Sequence, residues 1–129
     1  MITRKDMEDA PESHVFAFGD NLERRGKGGQ AAVAREFVAS GKAFGIPTKR
    51  APRADEDAYF HDRDDEMRAV EDAFTRLAKL VLSGKHVVFF PGIGSGYAKL
   101  KEKSPLIYNF LSGEIRRFCR DLGAEVRKG

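Results

Sequence analysis

Three short apolar segments constrain the fold of this chain more than any other feature. They span residues 14–18, 43–46 and 86–90. The third segment, HVVFF, has no polar alternation, which predicts a strand that is buried on both faces. Gly19 follows the first segment and Pro47 follows the second, so both segments are expected to be short strands that end there.

Helical segments alternate with these strands. We expect helices at residues 28–40, 64–82 and 105–122, the last opened by Ser104 as its N-cap. Residues 124–127 are a candidate for a short final strand. Strands that alternate with helices predict an α/β fold with a mostly parallel sheet, covered on both faces in a three-layer α/β/α arrangement.

Length and charge limit the classes of protein to consider. The chain has 129 residues, 41% of them hydrophobic, so we expect one domain over residues 1–129. Its 23 Lys and Arg residues against 20 Asp and Glu residues give a net charge of +3. This mildly basic balance is compatible with an anionic small molecule and makes nucleic acid an unfavoured partner.

Cysteine and histidine usage restricts the chemistry. The single cysteine, Cys119, excludes an intramolecular disulfide and a cysteine-based zinc cluster, and a buried inert thiol is expected. The three scattered histidines show no metal-ligand spacing, so we expect neither a metal nor a cofactor. No apolar segment is long enough to cross a bilayer, and the charged residues 1–11 lack the apolar region of a secretory signal. We therefore expect a cytoplasmic protein with no membrane partner.

Three loops follow the predicted strands, at residues 19–29, 47–62 and 91–103. In open parallel sheets, ligands bind beyond the carboxyl ends of the strands. The ligand site is therefore expected among these loops. Loops as long as the second one are often functional.

The first of these loops is rich in glycine and leads directly into a predicted helix. Three glycines fall within four positions: Gly26, Gly28 and Gly29. Glycine permits close backbone approach, and backbone N–H groups where a helix begins attract phosphate. Lys27 and its neighbours Arg24 and Arg25 add positive charge. The alternative is a tight connection in which the glycines only turn the chain.

The third loop also begins with alternate glycines, in the sequence PGIGSGY of residues 91–97. Its successive N–H groups are suited to an anion nest, and Ser95 offers a hydroxyl donor, although a plain turn is the alternative. Neither glycine-rich loop contains the GK[ST] of a P-loop or the acidic residue of a dinucleotide fingerprint. Because both loops open at one sheet edge, the pair predicts a diphosphate held between two clamps.

The segments VFAFGDNLERRGKGGQAA, GIPTKRAP and PGIGSGYAKL together resemble macro domains, most closely the small macro-domain-like proteins of phages and bacteria. The macro motif places an asparagine a few residues before a glycine cluster that opens a helix, as Asn21 precedes Gly26 here. Its second loop is Pro-x-Ile, then small residues, a glycine and an aromatic, as in residues 91–97. The resemblance covers nearly the whole chain and implies an ADP-ribose-binding α/β fold.

The resemblance also implies roles for individual residues. Asn21 would contact the distal ribose of ADP-ribose. Gly28 and Gly29 would offer backbone groups to that ribose and its adjoining phosphate. Residues 94–96 would wrap the diphosphate, and Tyr97 would flank the distal ribose.

Two polar residues after the second predicted strand complete the set of expected contacts. Lys49, next to Thr48, would pair with a phosphate or remain a solvated lysine. The expected ligand contacts are Gly19, Asp20, Asn21, Gly26, Lys27, Gly28, Gly29, Gln30, Thr48, Lys49, Gly92, Ile93, Gly94, Ser95, Gly96 and Tyr97.

Three residues are candidates for catalysis: Asp20, Asn21 and His61. Asp20 would activate a water toward the distal ribose or a terminal phosphate, or would cap the turn with its own side chain. Asn21 would hold the ribose. His61 would act as an acid or base, or would lie exposed while Phe60 anchors the loop in the core.

The expected function is binding of ADP-ribose or a related nucleotide derivative between the two glycine-rich loops. Hydrolysis of an ADP-ribosyl or ADP-ribose-phosphate bond is left open. One alternative is a non-catalytic reader or sequestering binder of an ADP-ribose-type signal. Another is a nucleic-acid-associated protein that binds phosphates, which would lose affinity steeply with salt.

Overall fold

The computed structural model of the protein describes residues 1–127. The helices are α1 (Arg4–Asp9), α2 (Ala31–Ala34), α3 (Asp64–Leu82), α4 (Leu100–Lys103) and α5 (Pro105–Asp121). The strands are β1 (His14–Asn21), β2 (Ala43–Lys49), β3 (His86–Phe89) and β4 (Glu125–Val126). Within the described part of the chain, no helix is long and apolar enough to cross a membrane.

The four strands form one parallel sheet in the order β2-β1-β3-β4. Helix α3 packs on β2 and β3 and against α5, while α2 packs on β1. The predicted α/β class with a parallel sheet is therefore confirmed, and the arrangement is compatible with three layers. Strand β1 lies centrally and is buried along most of its length.

Aromatic residues fill the core between the sheet and the long helices. Phe74 of α3, Phe89 of β3 and Phe118 of α5 are all buried. The ring of Phe118 packs edge-on against Phe74 at 5.6 Å and against Phe89 at 6.0 Å between centroids. This is the favoured geometry for aromatic pairs, and it fixes both helices against β3.

Two strands extend past the residues that were predicted to end them. Strand β1 continues through Gly19 to Asn21, and β2 continues through Pro47 to Lys49. The extensions pair with each other, with Asp20 opposite Pro47. A proline is tolerated because β2 is an edge strand with one neighbour, so its missing N–H costs no ladder bond on the free side.

The helix predicted at residues 28–40 is wrong in extent. Only α2 is α-helical, and a 3₁₀ turn follows at Arg35–Phe37. Gly29 has a positive φ of 55°, which is outside helical geometry, so the helix begins later than predicted. Helix α1 and its capping box between Thr3 and Asp6 were not predicted.

A carboxylate from the long second loop caps α5. Ser104 occupies the N-cap position as predicted, but its side chain makes no capping bond to the helix. Asp62 instead accepts the N–H groups of Leu106 at 3.1 Å and Ile107 at 2.9 Å, and the Ser104 hydroxyl donates to it at 2.6 Å. Asp62 therefore fixes the second loop to the start of α5.

We expect the Asp62→Gly variant to lose about 1–2 kcal/mol of unfolding free energy, because three donors lose their acceptor. Glycine tolerates the φ of 56° at this position, so backbone strain does not confound the result. Urea denaturation measures the change. Asp57→Gly, at an exposed residue of the same loop, controls for the entropy that glycine adds, and an equal loss there would contradict the capping role.

The loss should also depend on pH. Burial raises the pKa of Asp62, but the hydrogen bonds from Ser104, Ile107 and Leu106 outweigh it and hold that pKa below its ordinary value. The stabilisation is therefore present above the unfolded-state pKa of about 4 and is lost as the pH falls through the folded-state pKa. The difference between Asp62→Gly and the unmodified protein should shrink on acidification below about pH 4.

Candidate functional site

A cavity of about 580 Å³ opens beyond the carboxyl ends of β1 and β2. This volume is within the range of small-molecule sites. The expected contacts that line it are Gly19, Asp20, Asn21, Gly26, Lys27, Gly28, Gly29, Gln30, Thr48, Lys49, Gly92, Gly94, Ser95, Gly96 and Tyr97. Ile93 does not line it, because its side chain is buried and lines a smaller cavity of about 250 Å³ beside α5.

Gln30 joins the two glycine-rich loops. Its Oε1 accepts the N–H of Gly19 at 2.8 Å, and its Nε2 donates to the carbonyl of Pro91 at 2.6 Å. Each end of the amide thus has one partner. Gln30 therefore positions the cavity wall, and each end of its amide keeps one further hydrogen-bonding position.

Alternating backbone geometry leaves several N–H groups of the third loop without acceptors. Gly92, Gly94 and Gly96 all have positive φ, at 69°, 91° and 62°. Within residues 1–127, the N–H groups of Gly94 and Gly96 donate no hydrogen bond, while Ser95 N–H returns to the carbonyl of Gly92. Such a turn with unengaged donors is suited to an anion. The Ser95 hydroxyl already donates to Gly92 at 2.6 Å.

The loops approach one another closely at two glycines. A Cβ atom on Gly29 would lie 3.4 Å from the ring of Tyr97, and one on Gly26 would lie 2.8 Å from the Cβ of Pro52. Tyr97 is itself 74% exposed, so its ring forms part of the cavity rim. The glycines at 26 and 29 therefore let all three loops meet around one space.

Asp20 is bound by arginine. Its side chain is 2% exposed, and Arg35 binds both of its oxygens, at 2.6 and 2.9 Å. Nη1 of Arg24 lies 3.4 Å from Oδ2 of Asp20, and Oδ1 of Asp20 also accepts the backbone N–H of Asn21. The carboxylate is thus held by charge-assisted hydrogen bonds. This bound state does not match the free general base that was one of the two expectations.

Asn21 keeps one hydrogen-bonding atom without a partner. Its Nδ2 donates to the carbonyl of Arg25 at 2.7 Å, which fixes the orientation of the amide. Its Oδ1 is buried and has no hydrogen-bond partner in the described part of the protein. Asn21 is 7% exposed and lines the cavity. A buried acceptor without a donor is costly, so a ligand hydroxyl would relieve it.

Thr48 and Lys49 line the cavity, and each already has a hydrogen-bond partner within the protein. The Thr48 hydroxyl donates to the carbonyl of Asp20 at 3.1 Å, across the extended β1–β2 pair. The Lys49 ammonium donates to the carbonyl of Arg53 and lies 4.8 Å from the ring centroid of Tyr59. Burial lowers the pKa of Lys49. Lys49 is therefore a partly buried cation, and neither of the two sequence-based readings anticipated its contact with Tyr59.

His61 does not join the other candidates. It does not line the 580 Å³ cavity, and its Nε2 lies 2.6 Å from Glu56. Lys103 donates to the same carboxylate at 2.7 Å. The bonds from Lys103 and His61 lower the pKa of Glu56. The position of His61 is therefore that of a loop anchor, while Phe60 beside it is fully buried.

Several cavity residues were missed by sequence reasoning. Arg35, Pro52, Arg53 and Ala54 line the cavity, and so does Arg25, which was expected only as a source of positive charge. Pro52, Arg53 and Ala54 belong to the second loop. The expectation that ligands bind beyond the carboxyl ends of the strands indicated this loop but not these individual residues. No sequence signal marked Arg35, because its partner Asp20 lies fifteen residues away along the chain.

The charge on the cavity wall is positive. Five basic side chains line it: Arg25, Lys27, Arg35, Lys49 and Arg53. Among the described lining residues, Asp20 is the one acidic side chain, and Arg35 already neutralises it. Arg25 and Arg53 form ion pairs with Glu23 and Asp55. Lys27 and Lys49 are therefore the lining cations without a carboxylate partner among residues 1–127, and they are complementary to an anionic ligand.

We expect Arg35→Ala to lower the unfolding free energy by about 3 kcal/mol, because it leaves the buried Asp20 carboxylate without its main partner. Denaturation in urea measures this. Arg120→Ala removes an exposed ion pair with Asp121 and should change stability little. Equal effects of the two substitutions would contradict the assigned importance of the Asp20–Arg35 pair.

Comparison with known proteins identifies a family to which the chain belongs. No curated protein and no solved structure matches the chain. Residues 1–114 match a family described as a family of unknown function (DUF7831). The matched region includes both glycine-rich loops and strands β1 to β3. Because the match spans most of its length, the chain belongs to the DUF7831 family.

Proposed function

We propose that the 580 Å³ cavity binds ADP-ribose or a closely related nucleotide derivative. One observation carries the proposal. Two glycine-rich loops face one cavity, present backbone N–H groups without acceptors, and are surrounded by cationic side chains. A diphosphate is the ligand group whose charge and spread of acceptor oxygens such a wall complements.

The Asn21 amide supports a ribose beside the diphosphate. Its free Oδ1 is a hydrogen-bond acceptor, which a phosphate oxygen cannot satisfy and a ribose hydroxyl can. The resemblance to macro domains gives the same role to this residue. Tyr97 and Gly29, which lie against one another at the rim, would flank that sugar.

The site supports binding better than hydrolysis. Of the three candidates for catalysis, Asp20 is bound by Arg35 and His61 lies with Glu56 outside the cavity lining. Neither is placed to activate a water at the ligand. We therefore favour a non-catalytic reader or sequestering binder of an ADP-ribose-type signal, with the cytoplasm as its expected location.

Calorimetric titration with ADP-ribose tests the proposal. Gly28 is the sharpest position for a variant, because a Cβ there meets no atom within 4 Å and its φ is not in the positive range. Gly28→Glu should fold normally and weaken binding by about tenfold or more, equivalent to at least about 1.4 kcal/mol, through repulsion of the phosphates. Gly28→Gln, of the same size without the charge, is the matched control and should bind more tightly than Gly28→Glu.

Absence of binding heat with the unmodified protein would overturn the assignment. If the protein binds single-stranded nucleic acid as well as ADP-ribose, and if both affinities fall steeply as the salt concentration rises, the nucleic-acid alternative is favoured instead. Incubation with ADP-ribose-1″-phosphate and with an ADP-ribosylated protein should give no product. Turnover that Gly28→Glu abolishes and Gly28→Gln retains would show that the cavity is an active site.

Asn21→Ala separates the sugar contact from the phosphate contact. We expect it to weaken binding of ADP-ribose by about tenfold, since a hydrogen bond to the distal ribose is lost. Binding of ADP, which lacks that ribose, should be unchanged. Equal loss for both ligands would place Asn21 elsewhere in the site.

A further inference from the structure

Two histidines lie side by side at the amino ends of the strands, on the opposite side of the sheet from the carboxyl ends where the cavity opens. His14 begins β1 and His86 begins β3, and the parallel register pairs these two residues directly. Their ring centroids are 4.7 Å apart. Sequence spacing gave no indication of this pair, because the two residues are brought together only by the pairing of β1 with β3.

The neighbouring strand adds a carboxylate. Glu125 begins β4, and its Oε1 lies 2.8 Å from Nε2 of His86. Each of the three residues offers one ligand atom, and these atoms all lie within 4.8 Å of one another. All three side chains are partly buried, so the cluster remains reachable from solvent.

His14 has no structural use for its ring nitrogens. Neither of them hydrogen-bonds to another group among residues 1–127, and Nδ1 is buried. A buried ring nitrogen without a partner is costly to maintain. By contrast, Nε2 of His86 already bonds to Oε1 of Glu125, so a metal held by these two atoms would replace that hydrogen bond.

We propose that His14, His86 and Glu125 form a binding site for a divalent transition-metal ion of the Zn²⁺ class. Two imidazoles and one carboxylate are the nitrogen and oxygen donors that Zn²⁺ and its neighbours in the first transition row prefer. Three protein ligands leave one tetrahedral position for water. Ligand bonds of about 2.0–2.2 Å require the donor atoms to close by small side-chain rotations.

The metal would join three strands at their amino ends. Strand β4 has two residues, so few backbone bonds hold it to β3. A metal bound to Glu125 on β4 and to the histidines on β1 and β3 would connect each of these three strands to the other two. The site therefore stabilises the fold, and it lies apart from the cavity, which opens beyond the other end of β1.

Arg127 competes for the same carboxylate. Its Nη2 lies 3.1 Å from Oε1 of Glu125, and its guanidinium lies over the ring of Phe16. A cation at this place repels a metal ion and occupies a ligand oxygen. Removal of the Arg127 charge should therefore strengthen metal binding. A cluster that is held by hydrogen bonds alone and binds no metal would show no such gain.

The test uses the full chain without a histidine tag, freed of metal with a chelator. Titration with ZnCl₂ should show one bound ion per chain and a rise in melting temperature, and Co²⁺ should give the visible absorption of a tetrahedral site. His14→Ala and His86→Ala should each weaken Zn²⁺ binding by about tenfold or more, and Arg127→Gln should strengthen it.

Two control variants define the site. His61→Ala removes the remaining histidine, and Cys119→Ser removes the thiol, whose pKa is raised by burial and by the nearby Glu125. Both should leave Zn²⁺ affinity unchanged. ADP-ribose binding by His14→Ala should match that of the unmodified protein, which makes this test independent of the proposed function. Absence of Zn²⁺ binding, or equal loss in His14→Ala and a control variant, would overturn the proposal.

Discussion

The guanidinium of Arg35 holds the candidate site together. It binds both oxygens of Asp20 at the end of β1, and it also donates to the carbonyls of Arg25 and Gly26 in the first glycine-rich loop. One side chain, 18% exposed, thus fixes that loop to the central strand. Because a buried carboxylate needs a compensating charge, Asp20 and Arg35 depend on each other.

The same interaction decides what chemistry the site can perform. Both oxygens of Asp20 accept hydrogen bonds from Arg35, so the carboxylate is oriented toward the guanidinium and not toward a water at the ligand. Through Arg35, Asp20 therefore fixes the first glycine-rich loop to β1. The cavity wall keeps backbone donors without acceptors and basic side chains, which suit the anionic ligand proposed above.

Much of the fold could be predicted because its signals are local. The apolar run of β3 and the stripe of α3 identify their elements, and the glycine spacing identifies two of the loops around the cavity. The contacts that complete the site are not local. Gly45 is an example. A Cβ atom on Gly45 would overlap the Asp20 carboxylate, so the requirement for glycine at position 45 arises from a residue in another strand. The pairing of His14 with His86 is likewise a consequence of strand register.

Buried and half-buried polar side chains fix the geometry of the three loops around the cavity. Glu66, fully buried, accepts the N–H of His61 and binds Arg50, and Asp62 caps α5, so both ends of the second loop are fixed. Gln30 fixes the first loop to the third. A ligand that enters such a site has less chain to order on binding, which lowers the entropic cost of association. This explains how loops so rich in glycine, the residue with the most conformational freedom to lose, can still present a defined surface.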